Sequence, residues 1–101
     1  MHGLKRPTRA PNGLSKESAA WWREAVRQFD FRTAGELAVL TEAARSLDRI
    51  AECRDVIQRE GLFITGARGL VQHPAARLEQ QHRSLVLQAC RQLGISSPAE
   101  G

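Results

Sequence analysis

A long uninterrupted helical stretch between Thr33 and Gly61 constrains the fold of this chain more than any other feature. Thr33 and Glu36 form a T-x-x-E capping box, which marks a helix N-terminus. After the first turn, no Gly or Pro interrupts the chain before Gly61, a residue type that often ends helices in a left-handed conformation. We therefore predict a helix over Ala34–Glu60, about 40 Å long at about 1.5 Å per residue.

An apolar stripe runs along one side of this predicted helix. Its residues recur at alternating spacings of three and four, as in a coiled-coil seam, and they are Leu37, Leu40, Ala44, Leu47 and Ala51, widened by Ile50 and Ile57. A shorter partner helix, predicted over Ala75–Leu93, cannot cover the whole stripe, so we expect copies of the chain to associate. The residues expected at this contact are Trp21, Leu37, Leu40, Leu47, Ile50 and His82.

Local sequence signals also predict where the other helices begin and end. Ser15 is a predicted N-cap for a first helix that runs from Lys16 to about Phe29. Pro74 can occupy the first turn of the last helix, and Gly94 ends it. Residues 62–73 combine extended-favouring residues with glycines, which is typical of a small β-hairpin or of an ordered loop.

Basic charge is concentrated near the N-terminus. The chain has a net charge of +4, and its first fourteen residues contain Lys5, Arg6 and Arg9 but no acidic residue. Arg23 and Arg27 share one face of the first predicted helix because they are four residues apart. Such side chains neutralise phosphates with little sequence preference, so all five are candidate DNA contacts. The alternative is that they only keep a helical protein soluble.

These patterns predict one all-α domain. A short N-terminal helix precedes a long antiparallel helical hairpin, whose two arms are joined by a small Gly-containing connector. Residues 1–14 are predicted to be a disordered basic arm, residues 15–95 a helical oligomerisation and DNA-handling domain, and residues 96–101 a flexible tail.

No residue pattern indicates catalysis, a cofactor or a metal site. Gly66-x-x-Gly69 lacks the Lys-Ser/Thr of a phosphate-binding loop, and the three histidines are not spaced as ligands. Cys53 and Cys90 are expected to be buried free thiols in a reducing, cytoplasmic setting. No apolar stretch approaches the roughly 20 residues of a membrane span. The acidic residues of the long helix are expected on a solvated face or at a subunit contact, and they are Glu36, Glu42, Asp48, Glu52, Asp55 and Glu60.

Several motifs occur in a distinctive order along the chain. Trp21-Trp22 precedes the long helix, which is headed by Thr33-Ala-Gly-Glu36. A Gly ends that helix, a Gly-containing connector leads to the pair His73-Pro74, and the last helix ends in Leu93-Gly94-Ile95. In this order and spacing, from Trp21 to Pro98, the chain resembles the small-subunit family of phage terminases.

The resemblance implies a role in DNA packaging rather than in catalysis. Proteins of that family form rings of roughly eight to twelve subunits, which are closed cyclic oligomers. They bind double-stranded viral DNA near the packaging start and pass it to a large terminase subunit that carries the ATPase and nuclease. The helical hairpin, here Ala34–Glu60 with Ala75–Leu93, is the part that builds the ring. The corresponding setting is the cytoplasm of a bacterial host.

One departure from the family concerns sequence specificity. Many relatives carry a separate N-terminal DNA-binding helical module, whereas here only the arm of residues 1–14 precedes the first helix. Weak sequence preference is therefore expected, as suits gene transfer agents, the phage-like particles that package host DNA almost indiscriminately. The competing interpretation is a helical adaptor or structural protein that never contacts nucleic acid.

Overall fold

The structure, a computed structural model, describes residues 9–98. Three helices and one antiparallel pair of strands follow each other along the described chain. They are α1 (Lys16–Gln28), α2 (Ala34–Glu60), β1 (Phe63–Gly66), β2 (Gly69–Gln72) and α3 (Pro74–Leu93). The predicted all-α class, with a small β-hairpin as the connector, is confirmed for this part of the chain.

Side-chain caps start the first two helices where the sequence predicts them. At α1, the Ser15 hydroxyl accepts the Ser18 backbone N–H at 3.1 Å. At α2, the Thr33 hydroxyl accepts the Glu36 N–H at 3.1 Å, and the Glu36 carboxylate accepts the Thr33 N–H at 3.0 Å. This reciprocal pair is the predicted capping box, and it satisfies two N–H groups that a helix end otherwise leaves unbonded.

The two glycines that end the long helices adopt different conformations. Gly94 is left-handed helical, with φ 74° and ψ 29°, as predicted for the end of α3. Gly61 has φ 92° but ψ 153°, so the prediction of a left-handed helical residue at this position is wrong. An extended ψ directs the chain straight into β1, whereas a left-handed helical residue would turn it back over the end of α2.

Residues 62–73 form the β-hairpin and not an irregular loop. The register pairs Phe63 with Gln72, Ile64 with Val71 and Thr65 with Leu70, and residues 67 and 68 make the turn. Gly69 has φ 113°, which L side chains rarely adopt. The two strands bond to each other and make little contact with the helices. The hairpin therefore projects from the joined ends of α2 and α3.

His73 closes the base of the hairpin. Its Nδ1 accepts the Ala75 backbone N–H at 3.0 Å, which caps α3. The ring proton therefore lies on Nε2, which donates to Glu60 Oε1 at 2.8 Å. One side chain thus joins the last residue of α2 to the start of α3.

Two small apolar cores hold the helices together. The first joins α1 to α2 and contains Trp22, Ala25, Val26, Leu40 and Ala44. The second joins α2 to α3 and contains Ile50, Val86 and Cys90. Cys53 and Cys90 are buried free thiols, as predicted.

Much of the apolar stripe of α2 is covered within the chain, although Ala51 is exposed. α1 packs over Leu40 and Ala44, and α3 packs over Ile50. Leu40 and Ile50 are 0% and 4% exposed, so their prediction as contacts to another copy is wrong. The lengths of α2 and α3 alone do not reveal this covering, because α1 supplies part of it.

The molecule is elongated despite this covering. It measures 64 × 23 × 20 Å, and its radius of gyration of 16.4 Å exceeds the value of about 13 Å for a compact domain of this length. Within residues 9–98, no helix combines the length and the apolar character that a bilayer crossing requires.

Candidate nucleic-acid interface

The whole net charge of the chain lies in its first third. Residues 1–33 contain seven basic and three acidic side chains, which accounts for the full net charge of +4. Residues 34–101 contain eight of each and are neutral overall. A polyanion is therefore attracted to the part of the molecule that α1 and the segment before it occupy.

Ion pairs engage every arginine of α2, but among the described residues near α1 only Arg27 and Arg32 are paired, with Glu24 and Asp30. The four arginines of α2 each face a carboxylate, in the pairs Arg45–Glu42, Arg49–Glu52, Arg54–Glu79 and Arg59–Asp55. By contrast, Arg9, Lys16 and Arg23 are exposed and form no ion pair with any residue in 9–98. Exposed cations without an ion pair thus lie near α1, and Arg68, Arg77 and Arg91 are further examples on the hairpin and α3, in the part of the chain that has no net charge.

The predicted DNA contacts differ in how the fold presents them. Arg23 points to solvent from α1, and Arg9 is exposed at the start of the described chain. Arg27 is also exposed, but it forms a two-pronged ion pair with Glu24, which lowers the pKa of Glu24 chiefly through this hydrogen bond. Lys5 and Arg6 lie outside the described residues. Arg9 and Arg23 therefore offer the least compensated charge of the described candidates.

A buried carboxylate fixes α1 to α2. Asp48, 8% exposed, accepts the Ser15 N–H at 2.8 Å and the hydroxyls of Ser15 and Ser18 at 2.5 and 2.6 Å. Its prediction as part of a solvated face is wrong, because the N-terminus of α1 covers this side of α2. The partners lie about thirty residues away in sequence, so no local pattern reveals the contact.

The ionised form of Asp48 is the favoured one in the fold. Burial raises the pKa of its carboxyl, but the hydrogen bonds from Ser15 and Ser18 outweigh burial and hold the pKa below its usual range. The carboxylate also lies beside the positive end of the α1 dipole. The negative charge of Asp48 is thus used to anchor the helix that carries Arg23.

The two tryptophans have separate roles in the same anchoring. Trp22 is 3% exposed, and its indole N–H donates a hydrogen bond to the Thr41 hydroxyl at 3.2 Å. Trp21 is half-buried and packs against both cores. Arg23 therefore follows two aromatic residues that hold its helix against the rest of the molecule.

The other predicted oligomer contacts are partly covered. Leu37 packs against the first core and Leu47 against the second, and both are half-buried. His82 is half-buried too, with Nδ1 3.3 Å from the Ser46 hydroxyl. None of these residues offers a large apolar surface to a second copy.

Exposed apolar surface lies instead on the β-hairpin and on α3. Its members are Leu62, Phe63, Leu70, Val71, Leu78 and Leu85, and Phe29 at the end of α1 is at the margin. One signal in the sequence points to these positions, since the hairpin carries apolar residues on both faces. A two-stranded sheet beside so small a core can bury at most one of its two faces.

Clusters of metal-ligand side chains are missing from the described part of the chain. No group of three His, Cys, Asp or Glu side chains within 9–98 lies close enough to hold a metal ion. A cavity of about 620 Å³ between the N-terminus of α1 and the middle of α2 includes Asp48, Ser15 and Ser18. These three groups are bonded to each other, so they are engaged in holding the helices.

Comparisons with protein-family models, with curated proteins and with solved structures found no match to this chain. The likeness to small terminase subunits therefore rests on the order and spacing of its motifs.

Proposed function

We propose that this protein is a small terminase subunit, an oligomeric DNA-binding component of a packaging machine. It binds double-stranded DNA through its basic N-terminal third with little sequence preference. It then loads the DNA onto a large terminase subunit and regulates that subunit during packaging into phage or gene transfer agent particles.

The observation that carries the proposal is the separation of charge. Arg9, Lys16 and Arg23 are exposed near α1 and form no ion pair within residues 9–98, while residues 34–101 carry no net charge overall. Anchoring through Asp48 and Trp22 gives Arg23 a fixed position, so a phosphate contact costs little ordering of the backbone. Within residues 9–98, no polar recognition helix with a tight turn accompanies it, which favours contact with phosphates over readout of bases.

The direct test is DNA binding measured by fluorescence anisotropy as a function of salt. The affinity for a labelled duplex should fall linearly on a logarithmic salt scale, with a slope of about −0.9 per phosphate contact. Duplexes of unrelated sequence should bind alike. A strong preference for one short site would contradict sequence-blind binding.

Matched charge removals locate the interface. Arg23→Gln should weaken binding to every duplex and make the salt slope shallower by about one unit, since one phosphate then stays unneutralised. Changing Lys5, Arg6 and Arg9 together to Gln should do the same more strongly. Arg91→Gln removes the same charge from an exposed position on α3 and should leave binding unchanged. Equal effects of Arg23→Gln and Arg91→Gln would contradict the assignment to α1.

A helical adaptor without DNA binding is the second candidate, and the exposed apolar hairpin favours it. It predicts that no duplex binds even at low salt. It also predicts that changes at Arg23 have no consequence, so the same titration separates the two functions.

A further inference from the structure

The β-hairpin carries an apolar knob that nothing in its own chain covers. Phe63 is 58% exposed and Leu70 is 74% exposed. The register places both on the same face of the hairpin, since Thr65 opposes Leu70 and lies two residues from Phe63. Burial of two side chains of this size in a partner surface would remove apolar area from water, which favours association.

A groove of matching character lies between α2 and α3. It has a volume of about 420 Å³, and no residue of α1 lines it. Small residues form much of its surface, namely Ala43, Ser46 and Ala89, while Val39 and the half-exposed Leu85 form apolar walls. These small residues leave room in the groove for side chains from another surface.

A hairpin cannot reach the groove of its own chain. Ala43 precedes Glu60 by seventeen residues along α2, which is about 26 Å at about 1.5 Å per residue. The hairpin starts beyond Glu60 and extends the molecule at that end. The two surfaces can therefore meet only between copies. A head-to-tail contact of this kind joins two different surfaces, and it forms a ring when the rotation between neighbours closes.

Charge complements shape at this contact. Arg68, in the turn, is the one charged side chain between Gly61 and Gln72, and it forms no ion pair with any residue in 9–98. Glu42 is the one charged side chain that lines the groove. It is largely exposed and lies 3.7 Å from Arg45, a distance that leaves it open to a closer partner.

The exposed area also fits two contacts per chain. The chain exposes 7207 Å², whereas a compact protein of this size exposes about 5,700 Å². The excess is about twice the roughly 800 Å² that each partner buries at a standard interface. A head-to-tail oligomer uses two such patches on every subunit, one for each neighbour.

We propose that the β-hairpin of one copy inserts Phe63 and Leu70 into the α2–α3 groove of the next copy, with Arg68 pairing with Glu42. The inference deepens the proposed function, on which it rests, by naming the surface that joins the subunits. The stripe of α2 first expected at the contact is replaced by a surface made of two different elements.

Two variants, each defective on one side of the contact, test this inference. Leu70→Asp disables the knob and Leu85→Asp disables the groove. Both positions are about half or more exposed, so the helical fold should survive, as circular dichroism can check. Each variant alone should be monomeric in analytical ultracentrifugation, because every copy in the sample lacks the same half of the contact.

Mixing the two variants is the decisive step. The intact knob of Leu85→Asp fits the intact groove of Leu70→Asp, so the mixture should form a 1:1 heterodimer and nothing larger. A mixture that stays monomeric, or a Leu85→Asp chain that still dimerises alone through its hairpin, would overturn the head-to-tail contact.

A charge exchange provides a second measurement that does not depend on the apolar residues. Arg68→Glu and Glu42→Arg should each weaken the oligomer about tenfold or less, and the double variant should recover most of the loss. Failure of the double variant to recover would contradict the pairing.

The outcomes for the interface and for the function are distinguishable. A wild-type ring that binds DNA but persists in both Asp variants would overturn the proposed interface and leave the packaging function standing. A wild-type chain that stays monomeric would overturn the interface and the ring together. Loss of DNA binding with an intact ring would count against the function alone.

Discussion

At the scale of single residues, Asp48 does more to shape the site than any cation. Its carboxylate gathers three hydrogen bonds from the start of α1 and thereby fixes the helix that carries Arg23. The sequence identifies Ser15 as a cap because capping is local. It cannot identify Asp48 as the anchor, because that role depends on how two helices pack across about thirty residues of chain.

Removing this anchor should destabilise the protein. Asp48→Ala leaves the Ser15 and Ser18 donors without their acceptor in a covered position, at a cost of about 2–3 kcal/mol. Urea unfolding followed by tryptophan fluorescence measures the loss, since both tryptophans lie on α1. The control, Asp55→Ala, breaks an exposed ion pair with Arg59 and should cost less than about 0.5 kcal/mol. Equal losses in the two variants would refute the anchoring role.

The same carboxylate predicts a pH dependence. Its pKa in the folded protein lies below the ordinary value, which is about 3.9 in an unfolded chain. A lowered folded pKa contributes stability that is present above the unfolded pKa and is lost as pH falls through the folded pKa. The stability difference between the wild type and Asp48→Asn should be full near neutral pH and shrink below about pH 4. A difference that grows on acidification would contradict this sign.

At the scale of elements, boundaries were predictable where a short-range signal exists. The start of α2 follows from Thr33 and Glu36, and the start of α3 follows from Pro74. The sequence of residues 62–73 was compatible with a hairpin and with a loop, because its apolar and polar residues do not alternate regularly. The covering of α2 by α1 was missed because apolar spacing shows which side of a helix is buried but not which element buries it.

His73 offers a test of how the elements are joined. His73→Ala removes both the cap of α3 and the bond to Glu60, and should cost about 1 kcal/mol. His73→Asn can still cap through its side-chain oxygen and should lose less. Thermal unfolding compares the two, with Gln72→Ala on the exposed strand as the control. If the Asn variant loses as much stability as the Ala variant, the cap is not the source of the stabilisation.

At the scale of the whole molecule, elongation and exposed apolar surface point to assembly. Two small cores hold the three helices, while the hairpin and the groove remain uncovered. The expectation of self-association from sequence stays a prediction, and the surfaces that we propose for it are the hairpin and the α2–α3 groove.

Assembly should be visible in the stability of the protein. A folded oligomer gains stability with concentration by mass action, whereas a monomer does not. The midpoint of thermal unfolding should therefore rise between about 1 and 100 μM for the wild type and stay constant for Leu70→Asp. If the unfolding midpoint of the wild type does not change with protein concentration, assembly is contradicted.

Native mass spectrometry of the wild-type protein, with and without a short DNA duplex, tests the central claim most directly. The account predicts one closed stoichiometry of roughly eight to twelve copies, as a cyclic assembly requires, and uptake of the duplex at low salt. A chain that is monomeric at every concentration, or an oligomer that takes up no duplex at low salt, would contradict it.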